Sequence, residues 1–219
     1  MERFVKSGGK PVTEDIPEYL SESSSDEEGI FEGANIKYRN FICKDCSQKK
    51  KEFEYQKKTN KLPKDILNLG YIEVSINSKP INVTTPIMVC PFGFNEESKQ
   101  LTLQFTNVRT DKEMNDFFNF IQKIEFEQMK YLGLNEDNSE LYISQIRHDK
   151  KGKYDPNLLV KAPFHSNRYD VNIKTKNGTC SITNIFNWSK VKCNIYIDKI
   201  WKFNDKYVCK WKVKDITIL

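Results

Sequence analysis

One stretch of this chain repeats its apolar residues at the helical period, and the segments on either side of it alternate with a period of two. Thr110, Asp111, Lys112 and Glu113 read as a capping box, in which the Thr110 hydroxyl and the Glu113 carboxylate satisfy each other's backbone donors. Met114, Phe117, Phe118, Ile121 and Ile124 come next at i, i+3, i+4, i+7 and i+10. That spacing predicts one apolar stripe on a helix ended by Gly133. The rings on the stripe belong to a core by this reading, not to a row that stacks ligands.

Around that helix the texture is that of strands. YIEVSI at 71–76 and LTLQF at 101–105 alternate, and PIMVCPFGF at 86–94 is a short apolar run bounded by prolines and glycine. Beyond the helix, LYISQI at 141–146 reads as a strand, and Asn177-Gly178 is a strong hairpin signal inside 169–183. The closing strands are predicted at 191–197, 200–203 and 207–213, with a tight turn at Asn204 and Asp205. Nothing alternates strand with helix as a parallel sheet would require. The expected fold is therefore mainly β with one main helix, a β-barrel or curled antiparallel sheet of the OB-fold kind.

With 219 residues the chain has room for one domain of ordinary size and a real core, but not for a second full domain. Its charge is segregated. Residues 11–34 hold eight acids and no lysine or arginine, which leaves 35 basic residues against 22 acidic ones elsewhere, a net +13 where the whole chain shows +5. A polyanion is the natural partner of such a body. Residues 1–34, acidic and rich in serine and glycine, are expected to form a disordered tail. Ser23, Ser24 and Ser25 each precede an acid by three positions, the setting acidophilic kinases favour, although a purely solubilising tail has the same composition. Residues 35–61 form a basic lead-in, and 62–219 the folded domain. No secretory leader pattern opens the sequence and no apolar run reaches the ~18 residues of a membrane span, which predicts an intracellular, cytoplasmic protein with no membrane partner.

The closing block gives the chemistry. Between Lys190 and Asp215 eight lysines stand against three aspartates, interleaved with Tyr196, Trp201, Phe203, Tyr207 and Trp211. Cations for phosphates beside flat rings for bases are what a single-stranded nucleic acid requires of its binder. Strand parity puts Val191, Cys193, Ile195 and Ile197 on one face, and Cys209, Trp211 and Val213 likewise inward, so Trp211 reads as core. Lys210, Lys212 and Lys214 then form an outward row whose spacing of ~6.6 to 7 Å matches an extended single strand. The plainer account of that row is an edge strand kept from aggregating by its lysines. The expected stacking residues are Tyr196, Trp201 and Phe203, and the expected phosphate contacts are Lys199, Lys202, Lys210, Lys212 and Lys214. The loop carrying Arg147, Lys150, Lys151, Lys153 and Tyr154 ranks next, with Lys161, Phe164 and Arg168 as additions.

Enzyme chemistry finds little support. No phosphate-cradling glycine loop or nucleophile elbow is present, and neither His148 nor His165 has a carboxylate and nucleophile at any motif spacing. Cys43 and Cys46 form one Cys-x-x-Cys pair, half of what a structural zinc needs, so no metal and no cofactor are expected. Cys193 and Cys209 read as small core residues.

The order of motifs resembles the OB-fold single-stranded DNA-binding proteins of large nucleocytoplasmic DNA viruses. The resemblance rests on TTPIMVCPFGF at 84–94, LTLQFTN at 101–107, the capped helix with IQKIE at 121–125, and IYIDKIWKFNDKYVCKWKVKDITI at 195–218, and covers residues 62–219. It implies sequence-tolerant binding of single-stranded DNA in viral replication, repair or recombination, in the host cytoplasm, at a viral replication site or in the virion. It also implies replication proteins as partners of an acidic tail. Phage and bacterial proteins of this class carry that tail at the C-terminus, whereas this chain ends in Ile-Thr-Ile-Leu and has its acids at 11–34. Those residues are expected to occupy the basic groove until nucleic acid displaces them. The rival readings are a protein-interaction or virion structural module with a basic face, and an RNA-binding regulator.

Overall fold

The computed structural model of the chain describes residues 36–39, 42–43, 70–176, 178–203 and 205–219. The acidic tail with Ser23, Ser24 and Ser25, and Cys46 of the cysteine pair, lie outside them. Five strands close into a barrel: β1 (Met88–Cys90), β2 (Gln100–Gln104), β3 (Asn157–Lys161), β4 (Ser189–Ile197) and β5 (Trp211–Ile218). Around the ring their order is 1-2-3-5-4. Four of the five pairings are antiparallel. The fifth, β3 with β5, is parallel and joins Val160 to Trp211 and Lys161 to Lys212. The single parallel contact arises because the last strand returns to meet the third and runs in the same direction. This is the OB arrangement of a small Greek-key barrel.

The alternation that predicts these strands also fills the barrel. Leu101 and Leu103 from β2, Leu158 and Val160 from β3, Val191, Cys193 and Ile195 from β4 and Trp211 and Val213 from β5 point inward and are buried. Pro86 has no N–H for a ladder, and the Thr85 hydroxyl fills the gap: it accepts from the Cys193 N–H at 3.0 Å and donates to the Pro86 carbonyl at 2.7 Å. The chain can thereby break between the strand Ile81–Thr84 and β1, while β4 pairs with both. Burial pushes the Cys90 and Cys209 thiols up to about 12 and the Cys193 thiol higher still, so all three stay protonated and unreactive.

Helix α1 (Lys112–Tyr131) packs across one end of the barrel, with Met114, Phe117, Ile121 and Ile124 buried and Phe118 against the same core. Phe105, at the end of β2, meets Phe117 at 5.8 Å and Phe118 edge-on at 5.0 Å. The cap lies one residue later than the sequence suggests. Asp111 Oδ1 accepts from the Met114 N–H, while the Thr110 hydroxyl donates back to the Asn107 carbonyl, so the expected Thr110–Glu113 box does not form. The C-terminal expectation holds: Gly133 takes φ +68, and the Gly133 and Leu134 N–H groups close a Schellman motif on the Lys130 and Met129 carbonyls.

The expected strand at 141–146 is also corrected. Residues Glu136–Leu141 form a 3₁₀ turn, Tyr142 makes an isolated bridge to Tyr207, and Ile146–Arg147 pairs with β3. Residues 142–145, between the turn and that short strand, are tied to α1 by polar contacts that periodicity cannot reveal. The Tyr142 hydroxyl donates to Gln128 Oε1 at 2.5 Å, and the Ser144 hydroxyl and Gln145 N–H donate to the buried Glu125 carboxylate at 2.6 and 2.7 Å. Gln128 Nε2 in turn donates to Cys209 Sγ, linking the helix to the connection before β5.

That connection is a second, smaller sheet. The predicted strand 207–213 is two strands, because the chain breaks at Lys210. Lys206–Cys209 pairs with Lys199–Phe203, which pairs with Gly70–Ile76, which in turn pairs with Ile36–Tyr38 from the predicted lead-in segment. The hairpin expected at Asn177-Gly178 is present as Asn172–Thr175 against Gly178–Thr179, with Asn177 itself outside the described residues.

Burial raises the pKa of Glu125 above its ordinary value near 4.5, against the lowering by its Ser144 and Gln145 donors. A carboxyl raised in the folded state contributes stability that is fully present below its unfolded value and lost as pH rises through the folded one. Between pH 4 and pH 8 the wild type should therefore lose more stability than Glu125→Gln, read as urea midpoints. Equal losses would contradict this account.

Candidate nucleic-acid interface

Closure of the barrel gathers lysines that are far apart in sequence. Lys161 ends β3, Lys99 ends the loop between β1 and β2, and Lys210 immediately precedes β5. Burial lowers the Lys161 pKa, and the Lys210 and Lys99 ammonium groups lower it further. Lys161 Nζ donates to the Ser98 carbonyl at 2.5 Å, and Lys99 Nζ lies 4.4 Å from the centre of the Phe164 ring. Phe164 packs on Tyr169 at 4.8 Å, and Tyr169 meets Phe94 edge-on at 5.2 Å. Among the described residues no carboxylate pairs with any of these three lysines. The like charges are held together by the fold and remain uncompensated within it.

Outward residues of β2 and β3, Gln100, Thr102, Gln104, Asn157 and Leu159, form a half-exposed strip leading away from Lys161. Four strand steps, about 13 Å, separate Lys161 from Asn157. The loop holding Arg147, Lys150, Lys151, Lys153 and Tyr154 lies at that far end, and all five side chains are exposed. Its turn is set by Gly152 at φ +64 and by Asp149, whose carboxylate accepts from the Lys153 N–H, while Lys153 Nζ lies 5.3 Å from the Tyr154 ring centre. The strip is thus basic at both ends.

The remaining predicted residues fall into two groups. On the second sheet, Lys199, Trp201 and Phe203 share one face, with Trp201 tilted against Tyr71 at 5.2 Å and Lys199 Nζ 4.6 Å from the Tyr71 ring centre. Phe203 is 56% exposed. Lys202 faces the other way, 5.7 Å from the Tyr207 ring centre and 3.5 Å from Asp205. On the barrel, Tyr196 sits opposite Lys212, whose Nζ is 2.6 Å from Asp198 Oδ1 and 5.6 Å from the Tyr196 ring centre. Burial, then Asp198 and Asp170, raise the Tyr196 pKa. Lys210, Lys212 and Lys214 do not form one straight row. Lys210 lies between two strands of different sheets, Lys212 is held by Asp198, and Lys214 is the exposed extra residue where the β4–β5 register shifts.

Sequence reasoning missed Lys99, which no strand pattern singles out, and three exposed rings at the barrel end. Phe92, Phe186 and Trp188 are 69%, 68% and 68% exposed. They ride on two loops locked backbone to backbone: the Trp188 N–H donates to the Cys90 carbonyl at 2.7 Å and the Phe94 N–H to the Ile185 carbonyl at 2.9 Å. Gly93 lies where they meet, at φ +62. A Cβ there would stand 2.6 Å from the Ile185 carbonyl oxygen. Proline, glycine and aromatic residues at 91–94 signalled a turn, but not what it touches.

Among the described residues no group of three or more His, Cys, Asp or Glu side chains is placed to hold a metal, and no helix is long and apolar enough to cross a membrane. No family model matches the chain, and no curated protein does. Among solved structures, the chain is similar to gp2.5, a single-stranded DNA-binding protein encoded by bacteriophage T7, at 12% identity and a TM-score of 0.42, over 64% of this chain and 86% of that one. At that identity and score the likeness carries no weight for function.

Gly93→Ala should lower stability by about 1 to 3 kcal/mol, because the added methyl meets backbone and the φ disfavours any side chain. A thermal melt indistinguishable from wild type would show that the two loops are not locked as described.

Proposed function

We propose that this chain binds single-stranded DNA without sequence preference and without catalysis, along the outward strip of β2 and β3. The observation that carries the reading is Lys161 set beside Lys99 and Lys210, with no carboxylate among the described residues paired to any of the three. Folding brings three ammonium groups together at a cost, and a polyphosphate backbone offsets that cost while releasing its own counterions. The β2–β3 face with the loops between strands 1 and 2 and between 4 and 5 is where OB barrels hold oligonucleotides, and Lys99 and Lys210 stand on those two loops.

The strip has the chemistry of a single-strand groove. Phosphates meet Lys161, Lys99 and Lys210 at one end and the Arg147–Lys153 loop at the other, about two extended nucleotides apart. Tyr154, exposed beside that loop, and Trp201 and Phe203 on the second sheet supply flat surfaces for unpaired bases, each worth about 1 to 3 kcal/mol. Lys212, in register with Lys161 across the β3–β5 contact, borders this path. The biological setting we infer is replication, repair or recombination of a viral genome, as the motif resemblance at 84–94, 101–107 and 195–218 implies. Replication proteins would be recruited by the acidic residues 11–34.

Affinity for oligo(dT) should fall log-linearly with salt, with a slope of about −0.7 per phosphate contacted. Lys161→Gln and Lys210→Gln should each weaken binding and make the slope shallower by about 0.7. Absence of binding at low salt, or an unchanged slope in both variants, would refute the reading.

A further inference from the structure

The lysines of β4 and the exposed rings at the barrel end are used by nothing above. In the ring order 1-2-3-5-4, β4 touches β1 and β5 but neither β2 nor β3, so its outward side chains leave the barrel on the opposite wall from the strip. Lys190 and Lys192 are exposed there. Lys192 stands opposite Thr217 of β5, and Thr217 opposite Lys174 on the strand Asn172–Thr175, all in register. Two strand spacings, about 10 Å, separate Lys192 from Lys174, with a small exposed hydroxyl between them. The nearby carboxylate, Asp215, is occupied by the Asn172 and Asn194 amides at 2.9 and 3.4 Å rather than by a lysine.

At the head of this wall stand Phe92, Phe186 and Trp188. Among the described residues none of the three stacks on another ring. Trp188 has φ +67, a backbone state that costs a bulky residue of order 1 to 3 kcal/mol and persists only where the surroundings enforce it. The 2.7 Å bond from its N–H to the Cys90 carbonyl and the close approach of Gly93 to the backbone of residues 185–187 just before it are that enforcement. The fold holds an indole in a strained position that leaves it two-thirds exposed, with the exposed Lys190 and Lys192 following on β4.

We propose that Phe92, Phe186 and Trp188, together with Lys190, Lys192 and Lys174, form a second contact surface for the same single-stranded DNA, on the wall opposite the strip. This rests on the function proposed above and adds a length requirement to it. The ring order sets β4 across the barrel from β2 and β3, so a strand must be long enough to pass around the barrel before it engages both surfaces. Bases stack on the rings, and the β4 lysines take the adjoining phosphates.

The test is oligo(dT) binding at two lengths, 8 and 16 nucleotides, with one-to-one stoichiometry checked by sedimentation. Wild type is compared with Trp188→Ala, with Lys174→Gln/Lys192→Gln, and with Lys161→Gln as the control for the strip. The first two variants should bind the 8-mer within about twofold of wild type and the 16-mer about tenfold more weakly, the loss expected of one stacked base for Trp188→Ala and of two phosphate contacts for the lysine pair. The control should weaken both lengths. Equal losses at both lengths in the first two variants would merge this wall with the strip and overturn the proposal. No loss at 16 nucleotides would also overturn it and would assign the rings to a protein partner instead. Wild type that binds neither length would remove the proposed function itself, and this surface with it. The two lysine substitutions are on exposed side chains, so they test the wall even where Trp188→Ala perturbs its loop.

Discussion

The parallel contact between β3 and β5 is the joint on which the structure depends. It pairs Val160 with Trp211 and Lys161 with Lys212, and it turns a curled sheet into a closed barrel. Trp211, buried almost completely, anchors the joint from inside, with Phe120 of α1 beside it at 6.4 Å. Closure also sets the charge distribution. It carries Lys210, far downstream in sequence, to the end of β3 beside Lys161, where Lys99 already stands. The hydrophobic core thereby stabilises an arrangement that Coulomb repulsion alone would disperse.

The insertion between β4 and β5 explains why the lysine and aromatic block at 199–209 is so regular. Residues 199–209 belong to a separate sheet, tied to the helix end through Cys209, Gln128 and Tyr142. Its outer face carries Lys199, Trp201 and Phe203, while Ile200 and Cys209 face the core. One alternating segment therefore meets two demands, with the apolar parity closing the helix end and the opposite parity facing solvent. Cations on this block and on the strand that follows it are already engaged: Lys202 with Asp205 and Lys199 over Tyr71 on the block, and Lys212 of β5 with Asp198. That places the uncompensated charge on the barrel cluster rather than on the densest run of lysines.

Local patterns were readable from the sequence, and non-local ones were not. The stripe of α1, its end at Gly133, the hairpin at 172–179 and the inward parity of Cys193 and Trp211 are decided within a turn or a strand, where spacing alone carries the information. Thr110 lost the cap to Asp111 because the Asn107 carbonyl took its hydroxyl, a competition between neighbours that composition does not rank. Residues 141–146 have the alternation of a strand, yet the side chains of Tyr142 and Ser144 and the Gln145 N–H turn to Glu125 and Gln128 on the helix, polar groups at positions where the apolar stripe predicts none. The break at Lys210 separates two strands that read as one, because alternation continues unbroken through it. Lys99 and Lys161 in one cluster, and Trp188 locked to Cys90, come only from closure of the ring.

The central claim is that the Lys99–Lys161–Lys210 cluster awaits a phosphate backbone. Carbon-13 NMR of the lysine Cε groups, titrated against pH with and without saturating oligo(dT), tests it most directly. Bound phosphates replace repulsion with attraction, so the depressed Lys161 pKa should rise when the oligonucleotide is present. A Lys161 titration that is the same in both samples, while the protein demonstrably holds the oligonucleotide, would place the nucleic acid elsewhere and contradict the account.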